Sequence, residues 1–210
     1  MADLTQALAL SGPEATLKLY RDWAASYDTG FATDMEYRLP AHVAGAFVAA
    51  GGVGPVLDVG AGTGLLALAL RGMGFQGAID ALDFSAEMLA RAGEKAVYRG
   101  MVQADVTKSL PLPRAYNGVT SSGTFTAGHV GPGAFGPMLE VALPGALFAL
   151  SVNQRVWASL RFQPALNALL EGGRIRDLQQ IEVEVYGAAA RALDPEHAGD
   201  RAWIALFRAT

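Results

Sequence analysis

Three acids stand beside turns where they could meet a ligand. Asp58 lies in residues 56–64 (VLDVGAGTG), Asp83 in residues 79–92 (IDALDFSAEMLARA) and Asp105 in residues 103–106 (QADV). A carboxylate has two oxygens and can accept from two hydroxyls at once. A glycine-rich turn after a strand lets the backbone approach a ligand closely. A dinucleotide site wants G-x-G-x-x-G, but position 65 is Leu65 and the third glycine comes one residue early, at Gly64. The Walker pattern is absent, since no Gly-Lys-Ser/Thr follows. Asp58 ahead of the turn is wrong for a pyrophosphate and right for a ligand with an ammonium group and a sulfonium. Structural readings of the same residues stay open. The glycines could form an ordinary strand-to-helix turn, Asp83 could cap a helix beside Ser85, and Asp105 could be a solvated loop acid.

These residues need elements to hold them. Residues 14–27 read as a helix with Tyr20, Trp23 and Tyr27 on one face, and residues 37–50 as a second helix ending at Gly51-Gly52. A short buried strand at 55–59 leads into the turn, and a helix follows at 65–71. The alternation continues with strands at 78–82, 97–102, 116–121 and 146–152 and helices at 85–91, 135–142 and 156–170. Pro164 should kink or split the last of these, because it has no amide to donate. Two strands, 181–186 and 203–208, come without a clear helix between them. The first alternates Glu182 and Glu184 with apolar residues, as an edge strand with one wet face would. The expected fold is α/β: a Rossmann-like, mostly parallel sheet of seven strands with helices on both faces. Its last two strands form an antiparallel pair. One domain over 1–210 is the simplest organisation, with 1–50 as an N-terminal helical cap and 51–210 as the core.

Composition narrows the partners. The chain has 210 residues, 16 basic against 20 acidic, and no cysteine. That excludes disulfides, thiolate zinc sites and Cys nucleophiles. The three histidines, 42, 129 and 197, are too scattered to suggest a metal cluster, so no metal is expected. A net charge of −4 without a basic stripe argues against nucleic acid and anionic membranes. No stretch reads as a spanning helix, and the N-terminus lacks the basic cluster and apolar run of a signal peptide. A cytoplasmic protein acting on a small molecule is expected, of unknown oligomeric state.

Residues 56–64 resemble motif I of the class I S-adenosylmethionine-dependent methyltransferases. Residues 79–92, 103–106 and 143–146 (LPGA) resemble the next motifs of that family, in order. The run 121–135 (SSGTFTAGHVGPGAF) resembles more narrowly the methyltransferase-like group named for the Williams–Beuren region. Asn117 departs from the family, which often has Asp there. The resemblance implies S-adenosyl-L-methionine as cofactor and S-adenosyl-L-homocysteine as product. Asp58 would serve the methionine ammonium, and Gly60, Ala61, Gly62 and Gly64 would let the chain pass the cofactor. Asp83 would take both ribose hydroxyls, with Phe84 against the adenine and Ser85 and Met88 beside it. Asp105 would accept from the adenine amino group, flanked by Ala104 and Val106. Ser121 would lie near the methionine part, and Tyr27-Asp28 resembles the N-terminal Tyr-Asp of many small-molecule methyltransferases. His129, in the glycine-rich loop after the fourth strand, is the candidate general base. Arg38 and residues 153–155 (NQR) are candidates for meeting a carboxylate or substrate. Two other classes remain open: a catalytically silent cofactor-binding protein and an NAD(P)-dependent oxidoreductase.

Overall fold

The computed structural model describes Gly30 and residues 32–128 and 130–210. The aromatic stripe expected of Tyr20, Trp23 and Tyr27 and the candidate base His129 lie outside the described residues. In chain order the elements are α1 (Leu39–Ala49), β1 (Val56–Val59), α2 (Leu65–Gly72), β2 (Ile79–Asp83), α3 (Ala86–Glu94) and β3 (Gly100–Gln103). They continue with β4 (Tyr116–Phe125), a 3-10 turn, α4 (Phe135–Val141), β5 (Ala142–Asn153), α5 (Gln154–Trp157) and α6 (Phe162–Glu171). The chain closes with β6 (Ile175–Glu184), α7 (Ala190–Leu193) and β7 (Arg201–Ala209).

The seven strands form one sheet in the order β3-β2-β1-β4-β5-β7-β6. Pairings from β3 across to β5 are parallel, whereas β7 runs antiparallel between β5 and β6. The strand order reverses between β1 and β4, so the crevice above their carboxyl ends is where an open α/β sheet takes a ligand.

Periodicity decides the faces. In β1, Val56 joins the cluster under α1 and α2, with Phe47, Leu66 and Leu70; Leu57 and Val59 join the opposite cluster, with Phe135, Phe162 and Phe207. Central parallel strands are covered on both sides and so read as continuous apolar runs. Residues 39–49 thus pack on a face of the sheet. Pro164 falls in the first turn of α6, where a missing amide costs nothing, and the expected split comes just before it. There Arg161 takes a left-handed conformation at φ 60°. The expected strand at 97–102 is shorter, starting at Gly100, and Tyr98 precedes it. The fourth strand runs on to Phe125 through a register shift between Ser121 and Phe125. A short helix, α7, stands between the last two strands.

One contact pins α1 to the sheet. Phe47 is fully buried, and a Cβ added to Gly118 in β4 would come within 2.5 Å of its ring. Gly118→Val therefore displaces Phe47 from its slot. It should destabilise the fold by about 1–3 kcal/mol, read as a lower denaturant midpoint with an unchanged slope; an unchanged midpoint would show that α1 is free to shift.

Candidate active site

A cavity of about 340 Å³ opens over the carboxyl ends of β1, β2 and β4. Its floor is the turn after β1. Gly60 there has φ +64°, and an added Cβ would fall 2.0 Å from Thr124 Oγ1, so no side chain fits. Gly62 has φ +54° with open space where a Cβ would point. Its bare backbone therefore leaves the cavity clear.

Asp83 ties the turn to the next strand. Gly62 N donates to Asp83 Oδ2 at 2.8 Å, and Ser85 N donates to Oδ1 at 2.8 Å. One carboxylate thus fixes the glycine turn and the start of α3. Each oxygen keeps acceptor capacity for a ligand hydroxyl. Burial pushes Asp83 above the ordinary carboxylate range, opposed by those amides. Ser85 caps α3, its Oγ accepting from Met88 N at 3.2 Å. Phe84 is 39% exposed, a large apolar ring left facing the opening.

Asp105 sits on the far wall. Its Oδ1 accepts from Thr107 N at 2.9 Å and Thr107 Oγ1 at 2.6 Å, and Lys108 lies 3.4 Å from Oδ2. Those bonds, the Thr107 hydroxyl first, hold it below the usual carboxylate range. Among the described residues lining the cavity, Asp83 and Asp105 carry the only formal charges. The wall suits a ligand that brings donors and positive charge, and it disfavours a pyrophosphate.

The structure brings Gly60, Ala61, Gly62, Asp83, Phe84, Ser85, Met88, Ala104, Asp105 and Val106 to this wall. It does not bring Asp58, Gly64 or Ser121 there. Asp58 and Ser121 are fully buried. Strand alternation turns Asp58 under the glycine turn, to the face it shares with Val56. Asp58 Oδ2 accepts from Tyr98 Oη at 2.7 Å, while Oδ1 is buried with no partner among the described residues. Burial pushes Asp58 up to about 7, the Tyr98 bond opposing and Asp83 adding to the rise. Ser121 Oγ donates to Thr124 Oγ1 at 2.8 Å, and Thr124 Oγ1 donates to Val59 O at 3.1 Å. Thr124, rather than Ser121, therefore faces the cavity.

Tyr37, Ser122, Gly123, Thr124 and Val130 line the same cavity beyond the β4 end. A Cβ on Gly123 would lie 2.4 Å from the Tyr37 hydroxyl, so this ring packs directly on the β4 backbone. Sequence reasoning missed Tyr37 and Thr124. The signal available was the run Ser122–Gly123–Thr124 itself, small residues where the strand passes beneath the rim. The other candidates are held elsewhere. Arg38 pairs with Glu184 at 3.1 Å. Asn153 caps α5, accepting from Arg155 N at 2.9 Å, and Arg155 Nε donates to the buried Asp200 at 2.7 Å. Asn117 Nδ2 donates to Gly54 O at 2.9 Å, a backbone contact away from the cavity. Among the described residues no group of three or more His, Asp or Glu could hold a metal ion, and no helix is long and apolar enough to cross a membrane.

Residues 56–145 match a family described as "Methyltransferase domain". Human methyltransferase-like protein 27 is 32% identical over 161 residues, 74% of this chain and 64% of that protein. This chain therefore spans less than two thirds of that relative's length. A putative S-adenosyl-L-methionine-dependent methyltransferase from Methanococcus maripaludis superposes with a TM-score of 0.61 at 19% identity, covering 92% of this chain and 93% of that one. The N-methyltransferase NodS from Bradyrhizobium japonicum, solved with S-adenosyl-L-homocysteine, superposes with a TM-score of 0.63 at 14% identity, covering 92% and 97%. At such identities the superpositions establish the fold.

Asp58 makes stability depend on pH. Its folded value lies near 7 against an ordinary 3.8, so the folded state holds this proton more tightly than the unfolded chain does. The stability that proton contributes is full below about pH 4 and is lost as pH rises through 7. Ligand-free protein should lose on the order of 3 kcal/mol over that window. In Asp58→Asn most of this slope should vanish in denaturation curves from pH 5 to 8; parallel slopes for both proteins would contradict the burial of the charge.

Proposed function

We propose, from the match of residues 56–145 to a methyltransferase-domain family, that this chain is a class I S-adenosylmethionine-dependent methyltransferase and that it methylates a small molecule at the rim of β4 and β5. The observation that carries the reading is the acidic, glycine-floored cavity, whose charged wall groups are Asp83 and Asp105. Asp83 accepts from the two ribose hydroxyls through the acceptor sites its backbone amides leave open. Phe84 offers its exposed face to the adenine, with Met88 behind it, and Asp105 accepts from the adenine amino group beside Ala104 and Val106. Asp58 acts on the ammonium end from beneath the glycine turn, Gly64 lets the turn close, and Ser121 supports Thr124. Tyr27 contributes to cofactor binding, as its resemblance to the N-terminal Tyr-Asp of small-molecule methyltransferases implies.

S-adenosylmethionine supplies a methyl group already activated by its sulfonium. The chain's task is alignment and exclusion of water. Tyr37, Ser122 and Thr124 form a wall of hydroxyls and an aromatic ring that orients an acceptor over the β4 end. His129 takes the acceptor's proton where the acceptor is protonated at working pH. The acidic overall balance supports a small-molecule acceptor over nucleic acid, and the same features suit a cytoplasmic enzyme built as one domain, with the residues before α1 as a cap.

Calorimetric titration separates the readings. S-adenosylmethionine and S-adenosylhomocysteine should bind and NAD should not; NAD binding alone would overturn the assignment. A labelled methyl donor offered with a metabolite panel should then give a labelled product, whereas binding without any product would identify a silent cofactor-binding protein. Asp83→Ala should weaken S-adenosylhomocysteine binding roughly 30–150-fold, the loss of about 2–3 kcal/mol in hydrogen bonds. An unchanged dissociation constant in a folded variant would remove Asp83 from the site. With the acceptor known, His129→Ala should lower turnover about 100-fold at unchanged cofactor affinity; a loss within about threefold would leave catalysis to alignment alone.

A further inference from the structure

We propose that Tyr98 is a positioning residue for the cofactor, acting through Asp58 to hold the glycine turn in its binding shape. The inference rests on the cofactor reading above and adds a residue from outside the resembling motifs. Tyr98 belongs to the connection between α3 and β3, 40 residues from Asp58 in the chain. That connection reaches across the sheet top to the turn at two points. Lys95 Nζ donates to Thr63 O at 2.6 Å, and Tyr98 Oη donates to Asp58 Oδ2 at 2.7 Å. The Tyr98 ring also packs on the turn: a Cβ on Gly64 would lie 3.1 Å from Tyr98 Cε2. From the other side, Arg71 of α2 donates to Val97 O at 3.1 Å and fixes the segment that carries Tyr98.

The chemistry gives this brace a direction. Burial and the adjacent Asp58 push the Tyr98 phenol far above its ordinary range, so it is always a donor. Asp58 is flanked in register by Ala81 of β2 and Thr120 of β4, neither of them charged. Among the described residues, the titratable groups that act on it are Tyr98 and Asp83. The Tyr98 hydrogen bond is thus what favours the ionised carboxylate, against burial and against Asp83. It also orients the carboxyl, leaving Oδ1 as the oxygen that is buried without a partner among the described residues. An ionised, oriented Asp58 under the turn attracts a cationic ligand above it. A protonated one does not.

Tyr98→Phe tests this, because the ring that packs on Gly64 is kept and only the hydroxyl is lost. The probe is S-adenosylhomocysteine, titrated calorimetrically from pH 5.5 to 9. At neutral pH the variant should bind about tenfold more weakly. The pH at which affinity reaches half its plateau should move up by roughly one unit, and the high-pH plateau should approach that of wild type. In the Asp58→Asn background, Tyr98→Phe should cost no further affinity. A lower melting temperature with unmoved affinity and pH midpoint would make Tyr98 purely structural and overturn the proposal, as would additive losses in the double variant. Should Tyr98→Phe fail to fold, NMR of wild type decides: the Tyr98 hydroxyl proton should keep its coupling to the Asp58 carboxyl carbon in the ligand complex, and loss of that coupling on binding would overturn the role. Wild type that binds no S-adenosylhomocysteine would fail the functional reading itself, an outcome distinct from wild-type binding that Tyr98→Phe leaves unchanged.

Discussion

A partly buried carboxylate must find donors, and Asp83 finds them in the backbone. Its two oxygens accept from Gly62 N and Ser85 N, both at 2.8 Å. Those bonds set the rest of the cavity. Gly62 N can reach Asp83 only if the turn after β1 doubles back over the β2 end, where Gly60 N and Ala61 N also donate to Leu82 O. Such a path needs positive φ at Gly60 and Gly62. Ser85 N can reach it only where α3 begins, so the α3 cap and the cavity wall are one construction. Phe84, held between them, has its ring turned outward.

The second half of the sheet supports this half without sharing its chemistry. β5 and β7 carry the aromatic core, where Phe148 and Phe207 stack at 4.7 Å between ring centres. At the far rim, Arg155 and Asp200 tie the start of α5 to the connection before β7, and Arg38 and Glu184 tie the segment before α1 to β6. Met35, Leu39, Val185 and Tyr186 form a small apolar cluster beneath that last pair, and the Tyr37 ring lies tilted against Tyr186 with ring centres 5.9 Å apart. This packing holds Tyr37 over Gly123 at the cavity mouth. The candidate substrate binders Arg38 and Arg155 therefore hold the scaffold away from the cavity, and the wall beyond the β4 end is left to hydroxyls and an aromatic ring.

The sequence revealed what local chemistry dictates. The glycine turn, the Ser85 cap and the break before Pro164 follow from backbone conformation and the missing proline amide, so they are legible in a few residues. The apolar runs of β1 and β5 follow from burial on both faces. What stayed hidden depended on long-range contacts or on which way a strand faces. Nothing near Asp58 indicates that it turns beneath the floor and meets Tyr98 from a distant connection. β4 continues to Phe125 because Thr124 bonds back to Val59, a contact between strands that alternation cannot reveal, and so Ser121 gives up the wall to Thr124. β5 starts at Ala142, earlier than the Pro144-Gly145 pair suggested, because the chain pairs with Tyr116 before the register shift at Gly118.

The most direct measurement is a crystal structure of the protein with S-adenosyl-L-homocysteine. The account predicts the ribose hydroxyls on the Asp83 oxygens, the adenine against Phe84 with its amino group toward Asp105, and the homocysteine part over the turn above Asp58. A ligand bound elsewhere, or a ribose that Asp83 does not touch, would contradict it.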